Sequence, residues 1–481
     1  MAYSLLATDG YKFSMAEVGW PLRRETFVYT HRKGGQQILP IDVKAHVKGL
    51  LPVPIEQDWA YLRANEYAMG EGYAHAIQKE RDKFRVDALP KGSTFFSGEP
   101  VFSVSGVSAL GSWLEPIALQ INYRIQVATL ALRDPERLAR EVAKVTCWRQ
   151  KEIIAETLQE IKVKEPKIEV DTYGYQQQVL DAVKDLVEIV KNPNRIFEVG
   201  LRSVTCMEQH QLALEACKEA GVKRTSNVFL AERLGMIPVG TMGHEHLQRY
   251  GSDEEGFRAM KDRRPYRSSY LPDTYDFFLC GLPAAIRVMM EDPDRKDSIR
   301  YDSGNKETQF MYVVSEARQR GLQLRHIVED GLNSLQTRVF EILREQMKVD
   351  PDDMFYGYGG FIVAETAFGS LKRDEVQAVW KLSMTGNRPT MKFSSDPGKM
   401  SIPGRPVVWR RTSAHGPIGI IGQEGESVPE GYILATNAET AIQNFGVESY
   451  PKVIWSPETL SIKVKLLAGQ AEMRARMGML G

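Results

Sequence analysis

Arg300, Asp302 and Asn305 stand close together in the stretch Ser298-Ile-Arg-Tyr-Asp-Ser-Gly-Asn305. An arginine, a carboxylate and an amide on one turn can hold an anion, a metal ion or a sugar hydroxyl. Downstream, residues 307–321 carry Phe310, Val313, Val314 and Ala317 at helical spacing. The polar turn therefore sits where a strand hands over to a helix. Helix N-terminal amides meet anions at such places, and α/β folds gather their catalytic groups there. The bland alternative is a plain turn in which Asp302 or Ser303 caps the helix.

The same kind of junction recurs along the middle of the chain. Short β-like runs begin at Arg195, Met236, Ser268, Asp297, Leu324 and Asp353, with a further turn at 224–227. Helical stretches at 205–220, 275–292 and 332–347 separate them. This alternation predicts a parallel α/β unit. An irregular TIM-like barrel suits the number of repeats, and an open doubly wound sheet is the alternative. The runs end in Gly200-Leu-Arg202, Thr225-Ser-Asn227, Gly240-Thr-Met-Gly-His244-Glu-His246, Asp273-Thr-Tyr-Asp276, Asp302-Ser-Gly-Asn305, Glu329-Asp-Gly-Leu-Asn333 and Gly357-Tyr-Gly-Gly360. A barrel would bring all of these to one rim.

Such a rim suits a phosphorylated sugar and a divalent cation. Carboxylates bind Mg²⁺ sparingly and leave positions open for phosphate oxygens. Gly357, Gly359 and Gly360 let backbone amides approach a phosphate, and Arg373 could add a bidentate grip; the alternative for the glycines is close packing. His244 has three readings: a metal ligand paired with His246, a core histidine, or a nucleophile or general base oriented by a carboxylate such as Asp273. Cys206, His210 and Cys217 share the spacing of one buried helix face.

The elements that must position these groups are the rest of the chain. Its 481 residues should form two or three domains. Lys plus Arg and Asp plus Glu are 62 each, so no global field draws nucleic acid or an anionic membrane. No run is apolar enough to cross a membrane, and the first residues do not read as a signal peptide. Four scattered cysteines without a Cys-x-x-Cys pair point to a reducing cytoplasm. Thr8 or Asp9 can cap a short N-terminal helix that leaves Tyr11 exposed, either for packing or to reach a neighbour. Thr26-Phe-Val-Tyr-Thr30 reads as a strand running into the basic tip His31-Arg32-Lys33-Gly34-Gly35. Residues 41–86 read as helical, 89–105 as two strands around Ser97-Gly98, 115–132 and 135–161 as helices, and 162–167 as a boundary or exposed loop. Strands return after Glu375, and 458–477 reads as an amphipathic helix. The division expected is an α+β domain of residues 1–140, to which 385–481 returns, and an α/β barrel of residues 141–384.

Taken together, the turns resemble those of the nicotinate phosphoribosyltransferase family and its nicotinamide relative. The resemblance runs from Leu5-Leu-Ala-Thr-Asp-Gly-Tyr-Lys12 to Lys392-Phe-Ser-Ser-Asp-Pro-Gly-Lys-Met-Ser-Ile-Pro-Gly404. It implies an irregular barrel with a second domain made from both chain ends, and a homodimer with shared active sites. It implies transfer of phosphoribose from phosphoribosyl pyrophosphate to a pyridine base, with Mg²⁺ and with ATP as co-substrate. By match, His244 looks like the histidine that ATP phosphorylates, although Gly243 stands where alanine is usual. Arg300 looks like the base-binding arginine, Asp302 like the carboxylate positioning ribose and base, and Asp273 like a residue near the histidine and pyrophosphate; Asp302 and Asp273 are the metal candidates. Arg202, Asp330, Gly359, Gly360 and Arg373 look like phosphate contacts, and Tyr11 and Arg32 like residues reaching in from a partner subunit. Ser226 replaces the aspartate of the nicotinamide relative and favours nicotinate; Asn305 and the Leu-Leu-Ala-Thr-Asp stretch lean the other way. Val199 stands where the family stacks a phenylalanine on the ring, and Ser203 replaces a common second arginine. These two departures keep a catalytically silent, nucleotide-binding relative as an alternative.

Overall fold

The computed structural model describes residues 3–264, 268–393, 400–412, 418–437 and 453–478. Residues 394–399 of the quoted Lys392–Gly404 motif, including Pro397-Gly398, lie outside them.

Seven parallel strands form the central sheet: β1 (Ile196–Glu198), β2 (Arg224–Thr225), β3 (Ile237–Pro238), β4 (Ser269–Tyr270), β5 (Asp297–Tyr301), β6 (Leu324–Val328) and β7 (Met354–Tyr358). Their order is β3-β2-β1-β7-β6-β5-β4. All six expected runs contain strands, the turn expected at 224–227 holds a seventh, and β7 pairs back onto β1. The sheet is curled and mixed with helices, but the expected ring has an unpaired seam among the described residues, between β3 and β4. Both edge strands are two residues long, and Pro238 has no N–H to give a ladder. β5 is buried throughout, as a strand covered on both faces must be. The helix after it, Lys306–Gln319, buries Phe310, Val313, Val314 and Ala317 as their spacing predicts. Its cap is Asn305, whose Oδ1 accepts from the Thr308 amide at 2.9 Å. Capping by Asp302 or Ser303 is thereby corrected, and both side chains are released from that duty.

The N-terminal part builds an antiparallel sheet in the order Arg388–Pro389, Ala378–Thr385, Arg24–His31, Pro100–Val107, Arg85–Ala88. Ala378–Thr385 runs the full length of Arg24–His31, with Glu25 opposite Thr385 and His31 opposite Ala378. Residues 378–384, expected with the barrel, thus share the sheet of the first strand. Strand Pro406–Arg411 docks on this layer through Arg410, which donates to Glu99 at 2.8 Å, and the helix Pro457–Gly478 packs on its neighbour Gly419–Gln423. Two helix expectations are refined. Residues 41–86 hold three helices and the strand Arg85–Ala88. The 135–161 stretch breaks into Pro135–Glu141, the short strand Lys144–Val145 and Trp148–Glu160. The break falls where Gln150 Oε1 accepts from both the amide and the hydroxyl of Thr146.

One buried ion pair couples the two sheets. Arg249, on the helix His244–Tyr250, donates to Glu25 from Nε at 2.9 and 3.1 Å and from Nη2 at 3.0 Å. Thr385 also donates to Glu25. Breaking one side of such a pair costs about 3–5 kcal/mol.

Three histidines are built into the interior as neutral rings. Gln37 donates to the Lys33 carbonyl, which turns its Oε1 toward His31 Nδ1–H and leaves Nε2 to accept from Tyr29. His246 donates to the Gly256 carbonyl, and His326 meets Tyr301 at 2.8 Å. Burial lowers His31 and His246 to about 4 and His326 to about 3, from an ordinary 6.5. Below the ordinary value the unfolded chain takes up protons that the folded chain refuses, so stability must fall with pH. Urea unfolding is expected to show a declining unfolding free energy as pH drops from 6.5 toward 4, and replacing His326 with Gln should make that decline shallower.

Candidate active site

A cavity opens at the C-terminal ends of the parallel strands. Its wall includes residues following β1 (Val199, Arg202), β2 (Ser226), β3 (Gly240, His244), β5 (Asp302) and β6 (Glu329), together with Arg300 of β5 itself. Alternate residues of a strand share a face, so Arg300 and Asp302 point inward while Ile299 and Tyr301 are buried on the other side.

Arg300 is held by Thr241 Oγ1 and the Met242 carbonyl, both at 2.8 Å from Nη1. Its Nη2 lies 3.5 Å from Asp302 and its Nε 3.6 Å from Glu329. The Nε is buried without a hydrogen-bond partner. Part of this guanidinium is therefore anchored to the β3 loop and part is available to a ligand carboxylate. Burial raises the Glu329 carboxyl above its ordinary range against the pull of Arg300.

His244 opens the helix His244–Tyr250 and stands between two carboxylates. Its Nε2 is 3.5 Å from Asp302 Oδ2, and its Nδ1 is 4.0 Å from Asp273 Oδ1 and 3.1 Å from Thr274 Oγ1. Burial and then Lys392 lower its pKa, so the ring is neutral and nucleophilic at neutral pH. Burial works to raise the Asp302 carboxyl, but Arg300, the neighbouring His244 ring and Lys392 hold it well below the carboxylate range. Asp273 accepts from Ser303 on one oxygen and has no partner on the other. One atom each from His244, Asp273 and Asp302 can reach a common ion. The two carboxylates are hard oxygen donors suited to Mg²⁺, and the unpartnered Asp273 oxygen leaves room for it. The pairing of His244 with His246 on a strand is corrected: both lie on a helix, and His246 turns away to Gly256.

The opposite wall comes from the N-terminus. Residues 8–10 lie against the end of β2: Gly10 donates to the Ser226 carbonyl, Val228 to Thr8, and Asp9 bridges Asn227. Tyr11 is consequently not exposed. It lines the chain's own cavity, donates to Glu115 at 2.6 Å and lies under Lys12 and Arg202, 4.6 and 5.7 Å from its ring centre. Lys12 pairs with Glu115 at 2.6 Å and Glu245 at 3.0 Å. Ser226 donates to Asp9 at 2.6 Å. Its hydroxyl is engaged, and a carboxylate stands directly behind it, which changes the reading of Ser226 as a free donor. Burial raises the Asp9 pKa, favouring the neutral acid.

The expected residues divide into two groups. Tyr11, Val199, Arg202, Ser226, His244, Arg300 and Asp302 line the cavity, with Asp273 against His244. Arg32, Asp330, Gly359, Gly360 and Arg373 do not line it. Gly359 abuts the Val199 carbonyl and Gly360 the Ser203 hydroxyl, so this turn backs the wall. Arg373 pairs with its neighbour Asp374. Four lining residues carried no sequence signal of their own: Glu115, Lys381, Lys392 and Phe197. Phe197 lies two residues before Val199, on the same face of the strand end, and stacks on Phe355 at 5.4 Å. An alternation count would have found it. Burial and then Lys392 lower the Lys381 ammonium to about 7.

No family model matches the chain. It is 27% identical over 221 residues to the nicotinate phosphoribosyltransferase of Bacillus subtilis, covering 44% of this chain and 43% of that one, so the chain spans less than half of that relative's length. It is 22% identical over 440 residues to the nicotinate phosphoribosyltransferase of Acidovorax sp. (strain JS42), covering 82% of this chain and 94% of that one. The crystal structure of nicotinate phosphoribosyltransferase from Porphyromonas gingivalis superposes with a TM-score of 0.58 at 16% identity, over 83% of this chain and 96% of the other. That likeness carries the fold.

The contact that seats Tyr11 is backbone against backbone. A Cβ on Gly240 would fall 2.0 Å from the Tyr11 amide nitrogen, and one on Gly10 would fall 2.4 Å from the Val239 carbonyl oxygen. Neither atom belongs to a side chain that can swing aside. Gly240→Ala is expected to lower the unfolding free energy by about 1–3 kcal/mol, read by urea titration, and to redden the emission of residues around Trp380 as the N-terminal turn lifts off.

Proposed function

We infer that this chain, a member of the nicotinate phosphoribosyltransferase family, joins nicotinate to 5-phosphoribosyl 1-pyrophosphate. The products are nicotinate mononucleotide and pyrophosphate, a step of NAD biosynthesis. The observation that carries the reading is Arg300, a buried arginine with an unpartnered Nε facing a cavity walled by Tyr11, Phe197 and Val199. A flat ring bearing one carboxylate fits that combination.

The pyridine nitrogen attacks C1 of the ribose as the C1–O bond to pyrophosphate breaks. Positive charge builds at C1, and Asp302, held ionised by Arg300, stabilises it. Lys392, Lys381, Lys12 and Arg202 offer cationic contacts to the phosphates, with Arg373 and the turn at Asp330, Gly359 and Gly360 proposed as outer contacts. Asp273 and Asp302 would hold Mg²⁺, which when bound offsets charge on the leaving pyrophosphate. His244 Nε2, neutral and unpartnered, attacks the terminal phosphorus of ATP and releases ADP. Hydrolysis of that phosphohistidine beside the diphosphate would drive the transfer forward. The two-domain division, a cytoplasmic location and a homodimer are part of the same proposal. Within that homodimer Arg32 would reach toward a neighbour's site.

Asp9 behind Ser226 favours a second reading, nicotinamide, because a carboxylate there can accept from an amide. Steady-state kinetics on the two bases decide: kcat/KM for nicotinate should exceed that for nicotinamide. Arg300→Ala should cost nicotinate about 1.5–3 kcal/mol of transition-state binding and nicotinamide much less. Equal losses would remove the carboxylate contact. With γ-labelled ATP, the wild type should acquire acid-labile, base-stable label that His244→Ala lacks; label persisting in that variant would end the phosphohistidine assignment.

A further inference from the structure

Away from the cavity, two buried thiols touch. Cys147 Sγ and Cys206 Sγ lie 3.5 Å apart. They come from one local pattern used twice, Val145-Thr-Cys-Trp-Arg-Gln150 and Val204-Thr-Cys-Met-Glu-Gln209. In each copy the cysteine is the extended residue just before a helix, Trp148–Glu160 and Met207–Glu219. In each copy the glutamine folds back and accepts from the threonine amide at 2.8 Å and from its hydroxyl at 2.8 or 2.7 Å. Arg149 donates from its amide to Glu208 at 2.9 Å, which laces the two starts together. Two helix N-termini thus meet at the pair of sulfurs.

Opposed N-terminal dipoles favour a negative charge at their meeting point. The hydrogen bond from Cys147 pushes the Cys206 thiol down despite burial, and its counterpart pushes Cys147 up. Of the two, Cys206 is the one favoured to ionise.

We propose that Cys147 and Cys206 are a reversible modification site that closes to an intramolecular disulfide under a peroxide. The Cys206 thiolate attacks one peroxide oxygen, the O–O bond breaks, and Cys206 becomes a sulfenic acid as hydroxide leaves. Cys147 sulfur then attacks Cys206 sulfur, the S–O bond breaks, and the oxygen departs as water with the Cys147 proton. Two thiols and one peroxide give one disulfide and two waters. The sulfurs must close by about 1.5 Å to reach disulfide length. The segment that moves ends the turn bearing Arg202, a cavity residue.

The test needs no activity assay. Reduced, desalted full-length protein is exposed to hydrogen peroxide, denatured in iodoacetamide and digested without reductant. The expected product is one peptide pair joining Cys147 to Cys206, lighter than its parts by two hydrogens and released by dithiothreitol, with Cys217 and Cys280 recovered alkylated. In Cys147→Ser, dimedone should trap Cys206 as its sulfenic acid adduct. Recovery of all four cysteines alkylated at peroxide levels that fully oxidise glutathione, or a link engaging Cys217 or Cys280, overturns the proposal. The wild-type map decides even where the variant fails to fold.

Discussion

Everything at the cavity depends on how closely the N-terminal turn approaches the rim. Gly10 and Gly240 meet backbone to backbone, with no room for a Cβ on either side. That approach lets Gly10 donate to Ser226 and sets Asp9 against Asn227. Once the turn is seated, Asp9, Tyr11 and Lys12 are fixed as the second wall of a site whose first wall is the parallel sheet. Residues 9–12 thus supply three of the cavity's polar groups, and hydrogen bonds to the end of β2 offset the cost of ordering them.

Bringing this wall in also brings charge. Lys12, Arg202, Arg300, Lys381 and Lys392 share the cavity with Asp9, Glu115, Glu245, Asp302 and Glu329. Most of these have an opposite charge within ion-pair range, as burial demands. Two of them remain incompletely satisfied. Arg300, though within ion-pair range of Asp302 and Glu329, has no hydrogen bond on its Nε, and Lys381 has its ammonium lowered to about 7. Both deficits would be relieved by anions, and an anion beside Lys381 would restore its proton. Burial raises the Asp9 and Glu329 carboxyls, which lie beside these cations.

What could be read from the chain alone follows from the range of the forces involved. Six of the seven parallel strands were legible as short β-like runs with a polar turn at the end, and the two-residue strand Arg224–Thr225 showed only its turn. The rim residues His244, Arg300 and Asp302 were legible for the same reason. Phe197 was passed over in favour of Val199 because the match was made position by position, while a cavity is filled by a face and tolerates a shift of two along a strand. Ser226 was read as a free donor since its partner, Asp9, is far away in sequence. Glu115 looked like a core helix residue and is buried as one, but with Lys12 and Tyr11 against it. The pairing of 378–385 with the first strand is likewise a long-range contact that no local pattern announces. Phosphate contacts expected at Gly359, Gly360 and Arg373 came from similarity of turns, and these residues do not line the cavity.

The unpaired seam has a physical reason as well as a place. A fully closed ring would need β3 and β4 to exchange hydrogen bonds, but each is two residues long and the loop after β3 turns inward at once. Thr241 and Met242 on that loop grip Arg300, and the next residues start the helix bearing His244. The Met242 carbonyl, at the described seam, thus serves Arg300 rather than a ladder. Glu25 holds the helix bearing His244 through Arg249, tying the cavity wall to the antiparallel sheet by a buried ion pair.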